Sequence, residues 1–236
     1  MVGPSEKFTA PSANITAWLT ATSEAAIKEP VSWQNKEIVG AQLDALHLPH
    51  PATARLSAED ALALTSIPTT ITSDYIVWHM LPHDPKDKRY VQLRIPKKDA
   101  LTSLRQDIYQ LSDRTRYDVL LSDYFENEYG GQFVITPSGQ LFVEFGKGFQ
   151  GNYAAGHSVP THTVKSDPFS RILTHSYEDV ELREAIWKTV RGVYGNGRNP
   201  VAGYYEFALY RTPTGSLAPI FFDARTDTTA FNTLPR

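Results

Sequence analysis

No cysteine occurs among the 236 residues, which removes disulfides, thiolate metal ligands and cysteine nucleophiles from consideration. No apolar run approaches the length of a bilayer span, and the opening MVGPSEKF has neither the charged nor the hydrophobic segment of a signal peptide. The expectation is a soluble, cytoplasmic protein with no membrane partner. An excess of charge of one sign is missing as well. The 23 basic and 26 acidic side chains leave a formal net charge of −3, which argues against a dedicated nucleic-acid binder and leaves only a local basic groove open. There is no G-x-S-x-G elbow, no H-E-x-x-H pair, no internal repeat and no low-complexity tract. What the chain does have is a hydrophobic content of 41%, enough for a core that folds unaided as one large domain or two small ones.

Periodicity divides the chain into short helices and hairpins. Ile15 to Ile27 predicts a helix ended by Pro30, and Lys36 to Leu46 spaces Ile38, Val39, Leu43 and Leu46 as a helix face before the extended turn Leu48 to Pro51. Ser57 and Asp60 resemble a capping box opening a helix through Leu64. Tyr75 to Met80 and Arg89 to Ile95 predict a hairpin with a long charged loop, Asp99 to Leu111 a helix, and Tyr117 to Leu121 a buried strand. Gly131 to Thr136 and Gln140 to Phe145 flank a Pro-Ser-Gly turn, and Val159 to Asp167 continues extended. Asp179 to Tyr194 is amphipathic, and Tyr204 to Tyr210 with Leu217 to Phe222 forms a closing strand pair. Helices segregated among antiparallel hairpins predict the α+β class.

The stretch that organises the rest is Gln140 to His157: an apolar run carrying Glu144, then glycines at 146, 148, 151 and 156. Gly146, Gly148 and Gly151 spell G-x-G-x-x-G, but no helix opens at the third glycine, so the choice is between a tight connection and a backbone cradle for phosphate. Glu144, Glu206 and Asp223 sit on or just after predicted strands; if those strands are neighbours, the carboxylates form an oxygen-rich site for a divalent cation, and otherwise they face solvent or pair with arginine. Arg225 follows Asp223 by two residues, so both can leave one face of an extended segment, as a phosphate clamp or a plain ion pair. The 81–88 loop carries Lys86 and Lys88, to handle phosphate or simply to be solvated. Among the histidines, His157 lies beside the glycine turn and is the candidate proton shuttle or phosphoryl acceptor.

Several of these stretches together resemble the ATP-grasp nucleotide-binding domain in the form found in phosphoenolpyruvate synthases and pyruvate phosphate dikinases. DVLLSDYF (118–125), GQFVITPSGQ (131–140) and VEFGKGFQGNYAAGHSVP (143–160) resemble its hinge strand, hairpin and glycine segment, and HLPHPATARLSAEDALAL (47–64) its early motif. GYYEFAL (203–209) and APIFFDAR (218–225) are similar to its closing strand pair. The resemblance implies that Glu206 and Asp223 hold magnesium, the latter in place of the family's glutamine, and that Arg225 approaches phosphate. It also implies nucleotide contacts from Ser122 of the hinge strand and from Arg94, which stands alone for the family's arginine-serine-serine motif. The early lysine has no counterpart near Ile38 to Gly40, and the first lobe is shortened. The implied organisation is an amino-terminal arm and helical region over 1–70 and an ATP-grasp-like domain over 71–236.

The leading expectation is a protein that binds ATP or another phosphorylated ligand with magnesium, and that transfers a phosphoryl group or activates a carboxylate. A degenerate, non-catalytic scaffold acting as a binding or assembly subunit, with a protein partner or in a homo-oligomer, is the second. A nucleic-acid-associated protein using the basic stretches 86–94 and 183–198 is the third.

Overall fold

The computed structural model describes residue 15 and residues 36–84, 86–137, 139–148, 159–166, 173–193 and 201–226. Most of the expected helix from Ile15 to Ile27, together with Gly151 and His157, lies outside the described residues; Ile15 itself is helical and fully buried.

The α+β expectation holds. The described chain forms two antiparallel sheets with a few helices, and it divides into two compact units. One unit holds a four-stranded sheet in the order β1-β4-β2-β3, from strands Thr53–Ser57 (β1), Tyr75–Pro82 (β2), Tyr90–Pro96 (β3) and Tyr117–Asp123 (β4). Lys36–Ala45 is helix α1, and Ala58–Ala63 is helix α2. Helix α2 begins where expected because the Ser57 hydroxyl accepts the Asp60 N–H at 3.0 Å and donates to the Asp60 carboxylate at 2.7 Å. Helix α3, Ala100–Tyr109, buries Ala100, Leu104 and Ile108, one residue per turn, into a core with Ile76, Trp78, Val119 and Leu121. Strand β1 was not anticipated from periodicity, since the TARLS sequence is part-exposed along its length and has no apolar alternation; its pairing with β4 makes it a strand.

The other unit carries a six-stranded sheet in the order β10-β9-β5-β6-β7-β8. Its strands are Asn127–Ile135 (β5), Leu141–Lys147 (β6), His162–Ser166 (β7), Leu173–His175 (β8), Gly203–Arg211 (β9) and Leu217–Arg225 (β10). Helix α4, Val180–Val193, packs against β10 and buries Leu182, Ala185, Ile186, Val190 and Val193, and the Asp179 carboxylate accepts the Leu182 N–H at 2.9 Å at its start. One sheet face is aromatic. Phe133 stacks on Tyr205 at 4.9 Å between ring centroids and tilts against Phe207 at 5.7 Å and Phe221 at 6.3 Å. Gly131 permits this packing: a Cβ there would lie 2.3 Å from the Phe145 Cβ and 2.6 Å from the Glu144 carbonyl oxygen. No helix among the described residues is long and apolar enough to cross a membrane.

Candidate functional site

The strand order of the larger sheet decides which polar side chains meet. Because β10, β9, β5 and β6 are consecutive neighbours, register pairs Asp223 with Glu206, Glu206 with Gln132, and Gln132 with Glu144. Directly opposed residues project to the same face, so three carboxylates and one amide form a single rung across four strands. A strand spacing of about 4.8 Å puts Asp223 and Glu206 side by side and sets Glu144 about 10 Å from Glu206, with Gln132 between.

Asp223 reaches this rung through a bulge. Register shifts between Phe221, which opposes Phe207, and Asp223, which opposes Glu206. Without the extra residue Phe222, Asp223 would share the face of Phe221, two residues earlier; the bulge leaves Phe221 among the aromatics and turns Asp223 to the opposite face. Arg225, opposite Tyr204, follows on the same side as Asp223, with its guanidinium 3.5 Å from the Asp223 carboxylate and 5.5 Å from the centre of the Tyr204 ring.

The rung is largely withdrawn from water. Gln132 is 0% exposed, Glu144 2% and Asp223 3%, while Glu206 is part-exposed. The Tyr204 hydroxyl contacts Glu206 Oε1 at 2.7 Å and Gln132 Oε1 at 2.9 Å; the Gln132 amide donates to Glu144 Oε1 at 3.1 Å, and the Ile15 backbone N–H donates to the same oxygen at 2.8 Å. Burial, reinforced by the charge of Glu206 and the hydrogen bond to it, holds the Tyr204 phenol well above its ordinary pKa, so it remains a donor. Asp223 is different. Its Oδ1 is buried and accepts no hydrogen bond among the described residues, and an anionic oxygen so placed is costly without a cation or donor.

That oxygen, beside Glu206, fits magnesium in its ordinary protein setting, in which one or two carboxylates hold the ion and substrate phosphates and water complete the shell. A closed all-protein cage is a different arrangement: among the described residues, no group of three or more acidic or histidine side chains is placed to hold a metal ion. Glu206 and Asp223 are the adjacent pair. Glu144, the third residue expected, is separated from them by β5 and engaged by Ile15 and Gln132.

The remaining expected residues distribute as follows. Gly146 is buried opposite Gly130, which itself opposes Ala208, so the rung adjoining the carboxylates has small residues on β6, β5 and β9 and Ile220 on β10. Gly148 has φ +105°, a conformation suited to glycine, with open space where a Cβ would project. Ser122, Lys86, Lys88 and Arg94 belong to the four-stranded unit. The Ser122 hydroxyl donates to the Ala52 carbonyl at 3.2 Å. The Lys86 backbone N–H donates to Asp84 at 2.9 Å, and the Lys88 ammonium lies 5.0 Å above the Tyr90 ring. Arg94 stands at a strand irregularity with φ 57°, pairs with Glu126 at 3.2 Å and covers the Tyr75 ring at 5.1 Å. Gln132 and Tyr204 escaped the sequence reading. Their one local signal is a polar or phenolic residue on the same strand face as a carboxylate or its neighbour, as in Tyr204 two residues before Glu206.

No family model matches the sequence, and no curated protein matches it. Solved structures do. The chain is similar to an L-amino acid ligase from Bacillus licheniformis, with a TM-score of 0.45 and 12% identity over 85% of this chain and 45% of that one. It is similar to a D-alanine-D-alanine ligase from Helicobacter pylori, with a TM-score of 0.40 and 10% identity over 85% and 56%. A third likeness is to N5-carboxyaminoimidazole ribonucleotide synthetase, solved as its ADP complex, with a TM-score of 0.39 and 13% identity over 82% and 48%. None of these three is a phosphoenolpyruvate synthase or a pyruvate phosphate dikinase, the type that the sequence motifs resemble. The chain spans about half the length of these solved proteins, 45%, 56% and 48% respectively.

Proposed function

We propose that the chain is an ATP-grasp-like module that binds a nucleotide or another phosphorylated ligand, together with magnesium, on the carboxylate face of its six-stranded sheet. The observation that carries this reading is Asp223: a bulge brings it opposite Glu206, and its Oδ1 is buried with no donor among the described residues. A carboxylate in that state costs stability, and a cation shared with Glu206 offsets the cost. Magnesium held there supplies charge neutralisation for phosphate oxygens. Arg225, on the same side, offers a planar guanidinium to a phosphate, and the Gly148 backbone, with no atom of the described residues within 4 Å of where a Cβ would stand, can approach a ligand closely. Gly151 and His157 join the reading on sequence grounds alone, as do ATP itself, the type of transfer, and Ser122, Lys86, Lys88 and Arg94 on the nucleotide side.

Calorimetric titration of ATP and of ADP, each with magnesium, tests the reading on the wild type, Glu206→Ala and Asp223→Ala. The expected result is binding by the wild type that weakens at least about tenfold in each variant, the scale of losing one charged ligand. Affinity unchanged in both variants rejects the metal assignment, and a wild type that binds neither nucleotide rejects the reading. A second reading, a binding module without turnover, is favoured by the engagement of Glu144 with Ile15 and Gln132, which occupies the third expected carboxylate. Binding with no ADP release from ATP would select it.

A further inference from the structure

Of the polar groups on this face, Tyr204 is the one that touches both halves of the proposed ligand machinery and has no role assigned to it. It is 2% exposed, its ring packs with Ile15, Val134 and Phe142, and its hydroxyl lies 2.7 Å from Glu206 Oε1. Arg225 opposes it on the neighbouring strand, with the guanidinium 5.5 Å from the ring centre. We propose that Tyr204 is a positioning residue whose hydroxyl holds the Glu206 carboxylate in the orientation that meets a metal ion, while its ring separately carries Arg225. This inference rests on the reading of Glu206 and Arg225 as metal and phosphate ligands.

Glu206 is part-exposed and has several rotatable bonds, so a lone carboxylate there would lose conformational freedom on binding a cation. Tyr204 has two side-chain torsions, both restrained by burial, and a phenol donates one hydrogen. With Glu206 ionised, the carboxylate is the stronger of the two acceptors within its reach. Gln132 Oε1 lies 2.9 Å from the same hydroxyl and competes for its single hydrogen, while the Gln132 amide is turned away to Glu144, which the Ile15 N–H anchors. The tie to the part-exposed Glu206 carboxylate is therefore the one Tyr204 hydrogen bond, held in place by the buried ring. Side chains fixed this way are pre-ordered for a ligand, which spares the entropy of ordering them on binding.

Tyr204→Phe separates this role from plain packing, because it keeps the ring beneath Arg225 and removes only the hydroxyl. The probes are Mn2+ alone, followed by electron paramagnetic resonance, and ADP with a chelator present, followed by calorimetry. The expected result is an Mn2+ affinity lowered about fivefold or more, with metal-free ADP binding within about twofold of the wild type. In a Glu206→Ala background the same substitution should change Mn2+ binding no further. Equal losses for both probes would reduce Tyr204 to a packing residue and overturn the proposal, as would an unchanged Mn2+ affinity. A further loss in the Glu206→Ala background would overturn it too, and this cycle stands whatever the effect of the substitution on stability. A wild type that binds neither probe defeats the underlying functional reading instead, and this inference with it.

Discussion

Two buried aspartates, one in each unit, do different things. Asp123, in the four-stranded unit, is 6% exposed, and its Oδ1 accepts the Thr72 and Ser73 backbone N–H groups at 2.8 Å each. Asp223, in the six-stranded unit, is 3% exposed, and its Oδ1 accepts nothing among the described residues. The first ties a loop to the end of a strand. The second sits in a rung with Glu206, Gln132 and Glu144, with the Arg225 guanidinium 3.5 Å from its other oxygen. The same contrast extends to the surroundings. The four-stranded unit has an apolar core built on Ile76, Trp78, Leu104 and Val119, and its ion pairs, among them Arg55 with Asp118, Arg116 with Asp87 and Arg94 with Glu126, have side chains reached by solvent. A buried carboxylate oxygen that accepts no hydrogen bond costs stability even beside an arginine, and this is the feature on which the two aspartates differ.

The strongest way to break the comparison is by truncation in the two cores. Trp78→Ala should cost about 3–5 kcal/mol, whereas Asp223→Ala, which removes an oxygen without a donor but also takes the 3.5 Å partner from Arg225, should cost less, about 1–2 kcal/mol. Urea denaturation measures both. An Asp223→Ala loss as large as that of Trp78→Ala would make the aspartate structural.

Next come the glycines. Gly131→Ala forces a Cβ to within 2.3 Å of the Phe145 Cβ and should cost about 1–3 kcal/mol or more through overpacking. Gly148→Ala meets nothing within 4 Å among the described residues but must adopt φ +105°, with strain of about 1–2 kcal/mol. The two are distinguished by the urea midpoint. Only the second is expected to alter nucleotide affinity at full folding.

A smaller effect of opposite sign is expected at Arg94, whose φ of 57° is uncommon for a side-chain-bearing residue. Arg94→Gly relieves that conformation and gives up an exposed pair with Glu126, for a net stabilisation of about 1 kcal/mol or less in the melting curve. If nucleotide affinity falls as stability rises, the strain serves binding.

The smallest effect is a difference in pH response. Burial, then Lys147, lowers the pKa of His162 below 6.5, and burial, then Arg183, does the same for His175. Such groups protonate more readily in the unfolded chain, so the six-stranded unit keeps their contribution above pH 6.5 and loses it as the pH falls from there toward the folded values. In the four-stranded unit, burial raises the pKa of Asp118, but the hydrogen bonds and charges of His83 and Arg55 outweigh it and leave the carboxyl below 3.8. Its contribution is therefore present above pH 3.8 and is lost as the pH falls through the lowered folded value. Between pH 7 and pH 5, amide protection factors, which remove the intrinsic slowing of exchange at lower pH, should fall in β6 and β7 and not in β4; the reverse pattern would contradict the assignment.

Much of the fold is local enough to read from residues. The hairpins β2–β3, β5–β6 and β9–β10 lie where alternation and turn residues predict them, and α2 starts at the Ser57 cap. Strands β1 and β8 were not legible: the first lacks apolar alternation and the second has three residues, so each is a strand through its partner alone. The site divides along the same line. Glu206, Asp223 and Arg225 could be selected one by one, because strand-borne carboxylates and a nearby arginine are visible in any window that contains them.

The sequence by itself determined the α+β class, the helices from Lys36 onward and the three hairpins, and the placing of three charged residues on the closing strands, because propensity, capping and alternation act within a few residues. Only the tertiary structure decided that β5 lies between β9 and β6, which inserts Gln132 between Glu206 and Glu144. The bulge at Phe222, which turns Asp223 away from the aromatic face, and the meeting of Tyr204 with Gln132, 72 residues apart in the chain, are of the same kind. Strand order and register are set by which faces bury together across the whole sheet, and a slip of one residue sends a side chain to the other side.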